Sequence, residues 1–125
     1  MKVSDNFSRS EFACKGKECL CGFASVDVEL LKVLEDVRAH FKEKNPDAYV
    51  KVNSGNRCAK HNNQIGGAPG SYHVKGMAAD IVVNGIPATD VYHYLAFKYP
   101  DKYGIGRYKR SNFTHIDVRE GPARW

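Results

Sequence analysis

Between Ser25 and the pair Asn45-Pro46, the apolar residues Val26, Leu30, Val33, Leu34, Val37 and Phe41 return at the spacing of one helical face. Ser25 stands where a side chain would cap such a helix, and Asp27 and Glu29 fall in its first turn, where negative charge is favoured. The residue before Pro46 is pushed out of the helical region, so the segment stops there. A helix with one apolar stripe must lay that stripe on another layer. The rest of the chain offers short strands for this: residues 49–53 alternate, residues 78–83 are more apolar, and residues 103–108 and 112–118 flank the hairpin-length loop Lys109-Arg110-Ser111. Residues 90–97 read as a second helix between Pro87 and Pro100. This order predicts a small α+β domain, a mostly antiparallel sheet with helices packed on it.

With 125 residues the chain is expected to form one domain over residues 1–125, burying roughly two-thirds of its unfolded surface. Residues 1–24 read as an irregular arm, and the polar, glycine-rich residues 54–76 as a long loop, the kind of segment that often carries chemistry. No apolar run approaches the roughly 20 residues of a membrane span, so no membrane insertion is expected. The opening MKVSDNFSRSEFAC lacks the apolar stretch of a secretory signal, so the expectation is export by another route, a signal already removed, or a protein that stays inside. The net charge is +5, and residues 102–125 carry six basic against two acidic residues. Such an end would attract polyanions, an anionic wall polymer among them. No motif that reads bases accompanies it, so no nucleic acid partner is expected.

The cysteines Cys14, Cys19, Cys21 and Cys58 lack the two Cys-x2-Cys pairs usual in a four-cysteine zinc site. Two disulfides, a structural metal and buried thiols all stay open. Two of the five histidines have a carboxylate at a short offset: His73 with Asp80, and His115 with Asp117. Residues 113, 115 and 117 of the last strand share a face. Two imidazoles and one carboxylate are ordinary zinc ligands, and a catalytic zinc needs only three plus an open position. His73, Asp80 and His115 would satisfy that count. Composition alone does not bring them together.

The segment Ser71-Tyr-His73-Val-Lys-Gly76-Met-Ala78-Ala-Asp80 resembles the Ser-x-His-x-x-Gly-x-Ala-x-Asp signature of the zinc D-alanyl-D-alanine carboxypeptidase family, whose wider group includes lysostaphin-type peptidases and the hedgehog signalling domain. All five fixed positions match. Phe113-Thr-His115-Ile-Asp117-Val-Arg119 resembles the final strand of a single-domain branch found in phage lysins and bacterial wall enzymes. Ser54-Gly-Asn-Arg57 and the run from His61 to Pro69 also resemble that branch, and the likeness extends from about Phe7 to Arg119.

The resemblance implies a hedgehog/D,D-peptidase-like fold, with His73, Asp80 and His115 as zinc ligands and Arg57 binding the substrate carbonyl or its developing oxyanion. It further implies a monomeric zinc peptidase that cuts a bond in peptidoglycan stem peptides or cross-links, as a carboxypeptidase or an endopeptidase, in the manner of a phage lytic enzyme acting on the cell wall. Gly76 would let the chain turn between the first two ligands, Ser71 would brace the turn or bond a substrate group, and His61 would line the substrate cleft. Where better-known relatives place an acid or histidine as base, this chain has Asn112 and Phe113. Asp117 then serves either as the base or as the partner that orients a ligand histidine. Without a base, the alternative is a catalytically weak zinc-containing module that binds the cell wall.

Overall fold

The computed structural model describes residues 1–16, 24–68 and 70–125. The amphipathic stretch forms α1 (Val28–Lys44), which buries Leu30, Leu31, Val33, Leu34, Val37 and Phe41. Side chains of this kind stabilise by about 2 kcal/mol each when fully buried. The helix is capped by Asp27, whose carboxylate accepts from Glu29 N at 2.8 Å. The cap expected at Ser25 is therefore displaced by two residues. Ser25 N donates instead to Asn56 Oδ1 at 3.0 Å, tying the approach to the helix to a loop of the site.

A five-stranded sheet runs in the order β3 (Val50–Ser54), β4 (Ala78–Val83), β6 (Phe113–Asp117), β5 (Gly104–Tyr108) and β7 (Ala123–Arg124). The first three pairings are antiparallel, as expected, whereas β7 runs parallel to β5. That parallel edge is fixed by Arg124, whose guanidinium donates to the carbonyls of Tyr103 and Tyr99 at 2.6 and 2.7 Å. The helix α3 (Ala88–Lys98) packs with α1 on one face of the sheet. Ala79, Ile81 and Val83 of β4, Ile105 of β5 and Ile116 of β6 meet the helices in one hydrophobic core. Because side chains alternate along a strand, Ala78 and Asp80 of β4 and His115 and Asp117 of β6 point to the other face. Among the described residues, no helix is long and apolar enough to cross a membrane.

Two sequence-based expectations need correction. Of the irregular arm expected over residues 1–24, residues 2–12 form instead the hairpin β1 (Lys2–Ser4) and β2 (Phe7–Ser8) and a 3-10 helix at Arg9–Phe12, while residues 17–23 lie outside the described residues. Phe7 and Phe12 enter the core at 1% exposure each. The hairpin is held to α1 by Glu35, which accepts from Ser4 Oγ, Asn6 N and Asn6 Nδ2 at 2.7, 2.8 and 2.6 Å. Burial alone would raise the Glu35 pKa, but these donors and Arg38 hold it below the ordinary range. The second correction lies in residues 54–76, where α2 (Ala59–Gln64) interrupts the expected loop. It has one buried residue, Asn62, so no apolar stripe announces it.

Candidate metal centre

Asp80 and His115 stand directly opposite each other in the β4–β6 pairing, which puts both side chains side by side on the face away from the helices. His73 reaches the same point from the loop before β4. That loop turns at Gly76, whose φ of +72° lies in the left-handed region. A Cβ at position 76 would also sit 2.8 Å from the Ser25 carbonyl oxygen. Gly76→Ala is therefore expected to cost about 1–3 kcal/mol, read as a lowered melting temperature with reduced metal content. A melting curve superimposable on wild type would contradict the assigned strain.

The hydrogen bonds of the two imidazoles decide which nitrogens face the centre. His73 Nδ1 lies 2.8 Å from the Gly55 carbonyl, which can only accept, so Nδ1 carries the proton and Nε2 turns its lone pair toward Asp80. His115 Nε2 lies 2.7 Å from the buried carboxylate of Asp117, which leaves Nδ1 facing Asp80. Asp80 Oδ1 is 3.3 Å from His73 Nε2 and 3.0 Å from His115 Nδ1. Three electron-pair donors thus converge, and the arrangement calls for positive charge at their common point. Two ligands about 2.0–2.1 Å from a tetrahedral zinc are about 3.3 Å apart, so the spacing fits such an ion. Burial alone would raise the Asp80 pKa, but the neighbouring imidazoles of His115 and His73 hold it well below the usual carboxylate range, so the carboxyl is ionised.

Behind His115, the Asp117 side chain is fully buried and saturated with donors. It accepts from His115 Nε2, from Arg119 Nε and Nη2 at 2.7 Å each, and from the amides of Gly104 and Arg119 at 3.2 Å each. Burial would raise the Asp117 pKa, yet the bonds from Arg119 and His115 hold it far below the carboxylate norm. For His115, burial is a lowering influence, but Asp117 and Asp80 pull its pKa upward. The glycines opposite, Gly104 and Gly106, leave space that a Cβ would fill: at 104 it would meet the Asp117 carboxylate, and at 106 the indole of Trp125.

The three donors lie in a cleft of about 530 Å³ whose lining includes Arg57, Ser71, Tyr72, Tyr108, Arg119 and Trp125. Arg57 Nη2 lies 3.6 Å from Asp80 Oδ2, and its Nε and Nη1 donate to Ser54 Oγ and Asn62 Oδ1 at 3.3 and 3.0 Å. Burial lowers the Arg57 pKa, against the pull of Asp80. Ser71 Oγ accepts from His73 N at 3.2 Å, bracing the turn that carries the ligand. His61 departs from expectation: it belongs to α2, is not among the residues lining the cleft, and donates its amide to Cys58 Sγ at 3.4 Å. Sequence reasoning overlooked Trp125, which β7 seats with its ring centroid 5.1 Å from that of His115. Asn56 was also overlooked as a brace; its Nδ2 donates to the His73 carbonyl at 3.0 Å. Both depend on tertiary pairing, although Asn56 lies inside the family-like run around Arg57.

An α+β sheet that presents a His/Asp/His cluster on its open face defines a candidate metal-dependent hydrolase. The chain belongs to the peptidase M15 family, which it matches over residues 5–117. It is 40% identical over 80 residues to peptidoglycan L,D-endopeptidase MepK of Escherichia coli, and 35% identical over 83 residues to the probable peptidoglycan L,D-endopeptidase MepK of Haemophilus influenzae. The aligned parts cover 60% and 62% of this chain and 42% of each relative, so the chain spans less than half the length of these relatives.

Proposed function

We propose that this chain is a zinc-dependent peptidase that hydrolyses a peptide bond in peptidoglycan. The observation that carries the reading is the convergence of His73 Nε2, Asp80 Oδ1 and His115 Nδ1 within 4.8 Å of one another at the cleft. Two imidazoles and a carboxylate with an open position are an ordinary catalytic zinc set. When bound, zinc supplies a Lewis acid for the amide carbonyl and an acidic water near neutral pH. The protein's own part is positioning. Gly55 and Asp117 fix the two imidazole rings, and the cationic fork of Arg57 offers its remaining N–H groups to the substrate carbonyl oxygen, where negative charge develops. Ser71 and the wall of Tyr72, Tyr108 and Trp125 offer polar and apolar contacts along the peptide. We assign Asp117 to orienting His115, because its lone pairs are already occupied by five donors. The names of the relatives favour an internal bond, cut by an endopeptidase, over removal of a terminal residue.

Among the described residues lining the cleft, the carboxylates are Asp80 and Asp117. That observation favours one second reading, a zinc-containing wall-binding module with weak turnover. Digestion of purified sacculi, with soluble muropeptides followed by mass spectrometry and zinc measured on the same sample, separates the two. The peptidase reading expects zinc together with release of new fragments, abolished by a chelator. Arg57→Ala is expected to keep the metal and lose about 100- to 1000-fold in kcat. Stoichiometric zinc with no fragment released would establish the binding module instead.

A further inference from the structure

Arg119 ends the stretch that begins at Phe113, and the metal centre leaves part of its side chain unused. The guanidinium donates to Asp117 through Nε and Nη2, at 2.7 Å each. That edge engages two of the five N–H groups of an arginine and leaves the outer Nη1–Nη2 end, where two N–H groups run parallel in the geometry that matches a carboxylate. Among the described residues, no acceptor pairs with Nη1. No buried side-chain nitrogen of those residues lacks a partner, so this end is open to solvent. Arg119 lines the cleft, with 27% of its side chain exposed.

A guanidinium that served Asp117 alone would need no further support, yet this one also rests on two rings. Its Cζ lies 4.6 Å from the Tyr72 ring centroid and 5.3 Å from that of Trp125, and both residues line the cleft. Trp125 is itself held in place. Its carbonyl accepts from Arg107 N at 2.9 Å, its amide donates to the Ile105 carbonyl at 3.1 Å, and its Nε1 donates to Tyr108 Oη at 2.8 Å. An arginine held by a carboxylate and two rings has little side-chain freedom left to lose on meeting an anion. Its position suits a substrate contact. His115 Nε2 and Arg119 Nη2 share one acceptor, Asp117 Oδ2, at 2.7 Å each. The open end thus stands within about three residues of extended peptide from the candidate metal centre.

We propose that Arg119 is a carboxylate receptor of the cleft, whose outer Nη1–Nη2 end binds a carboxylate of the peptide through two parallel hydrogen bonds and selects anionic stems near the bond to be cut. On the peptidase reading, on which this proposal rests, stem peptides offer such a group on a side branch or at the free C-terminus. Arg57 is not an equivalent receptor. Its Nε and Nη1 are occupied by Ser54 and Asn62, and its Nη2 faces Asp80 at 3.6 Å, which suits a carbonyl at the metal.

The test reads binding first, by calorimetry on the full chain freed of metal by a chelator, so that a carboxylate cannot bind the ion instead. The probe is a synthetic stem tetrapeptide of L-alanine, γ-linked D-glutamate, diaminopimelate and D-alanine, with its carboxylates free, amidated on the branches, or amidated at the C-terminus. Wild type is expected to bind the free form about 10- to 100-fold more tightly than an amidated form, and the amide that weakens binding identifies the branch or the chain end as the source. Arg119→Gln should bind all three forms alike, whereas Arg57→Ala should keep the preference. A merely structural role, exerted through Asp117 and His115, would lower the three affinities together and leave the preference in place. Should Arg119→Gln fail to fold, Arg119→Lys keeps the charge without the fork and should lose about tenfold of the preference. Equal affinities in wild type would overturn the receptor, as would an undiminished preference in Arg119→Gln or Arg119→Lys. The zinc-loaded chain separates this outcome from the peptidase reading. Sacculi and probes cleaved with no carboxylate preference would sink the receptor alone, and selective binding with no cleavage would sink the peptidase alone.

Discussion

His73→Ala is expected to remove the cleft metal and reduce peptidoglycan hydrolysis by about a thousandfold or more. The magnitude follows from the several kcal/mol that a metal contributes to transition-state charge, with about 1.4 kcal/mol for each tenfold in rate. Truncation also strips the Gly55 carbonyl of the partner it has at 2.8 Å, a site where the histidine is buried, so a stability loss of about 1–3 kcal/mol accompanies the loss of metal. Asp80→Asn separates the two effects. It keeps the volume and the strand pairing but withdraws the anionic ligand, so the rate should fall as steeply with a smaller change in melting temperature. Zinc retained by both variants, with rates within about tenfold of wild type, would remove these residues from the centre.

Asp117→Asn carries the second large effect, and the manner of loss tells its role. Removing the buried carboxylate strands the Arg119 fork, which donates two bonds of 2.7 Å to it, and loosens His115. Arg119 is partly exposed, so the cost lies at about 2–4 kcal/mol, short of that for a fully buried pair. For a residue that orients a ligand, zinc affinity and activity should fall together by about 10- to 100-fold. For a base, zinc affinity should hold while the rate drops by about 100- to 10,000-fold. The stability difference also depends on pH. The folded pKa of Asp117 is depressed, so its contribution is fully present above the unfolded value of about 4 and is lost as pH falls toward the folded one. Denaturation of wild type and Asp117→Asn should therefore converge in acid; a gap that widened there would contradict the assigned direction.

Elements with a period long enough to detect were legible in the sequence: α1 through its stripe, and β5 and β6 through the loop between them. The hairpin β1–β2 has strands of three and two residues, too short to display alternation, although Phe7 and Phe12 are core residues. The α2 helix was hidden because its residues are almost all polar, and β7 because a two-residue strand takes its identity from the neighbour it joins. At the site, the motif picked out His73, Asp80 and His115 as residues. Their meeting depends on a pairing register that no local pattern encodes. The same holds for the locking of Asp117, which needs Gly104 from β5 as well as Arg119. His61 illustrates the reverse case, where proximity to Arg57 in sequence did not become proximity in the cleft.

The division of the sheet into a helix-covered side and an open side has a consequence for how this chain can diverge. Along β4, positions 79, 81 and 83 answer to the interior, whereas 78 and 80 answer to the open side, so tolerance to change should beat with a period of two. On β6, Asp117 departs from such a rhythm: it lies on the open face yet is fully buried, holding His115 and Arg119. The scaffold can thus be retuned toward another ligand from one side of its strands while the other side keeps it intact.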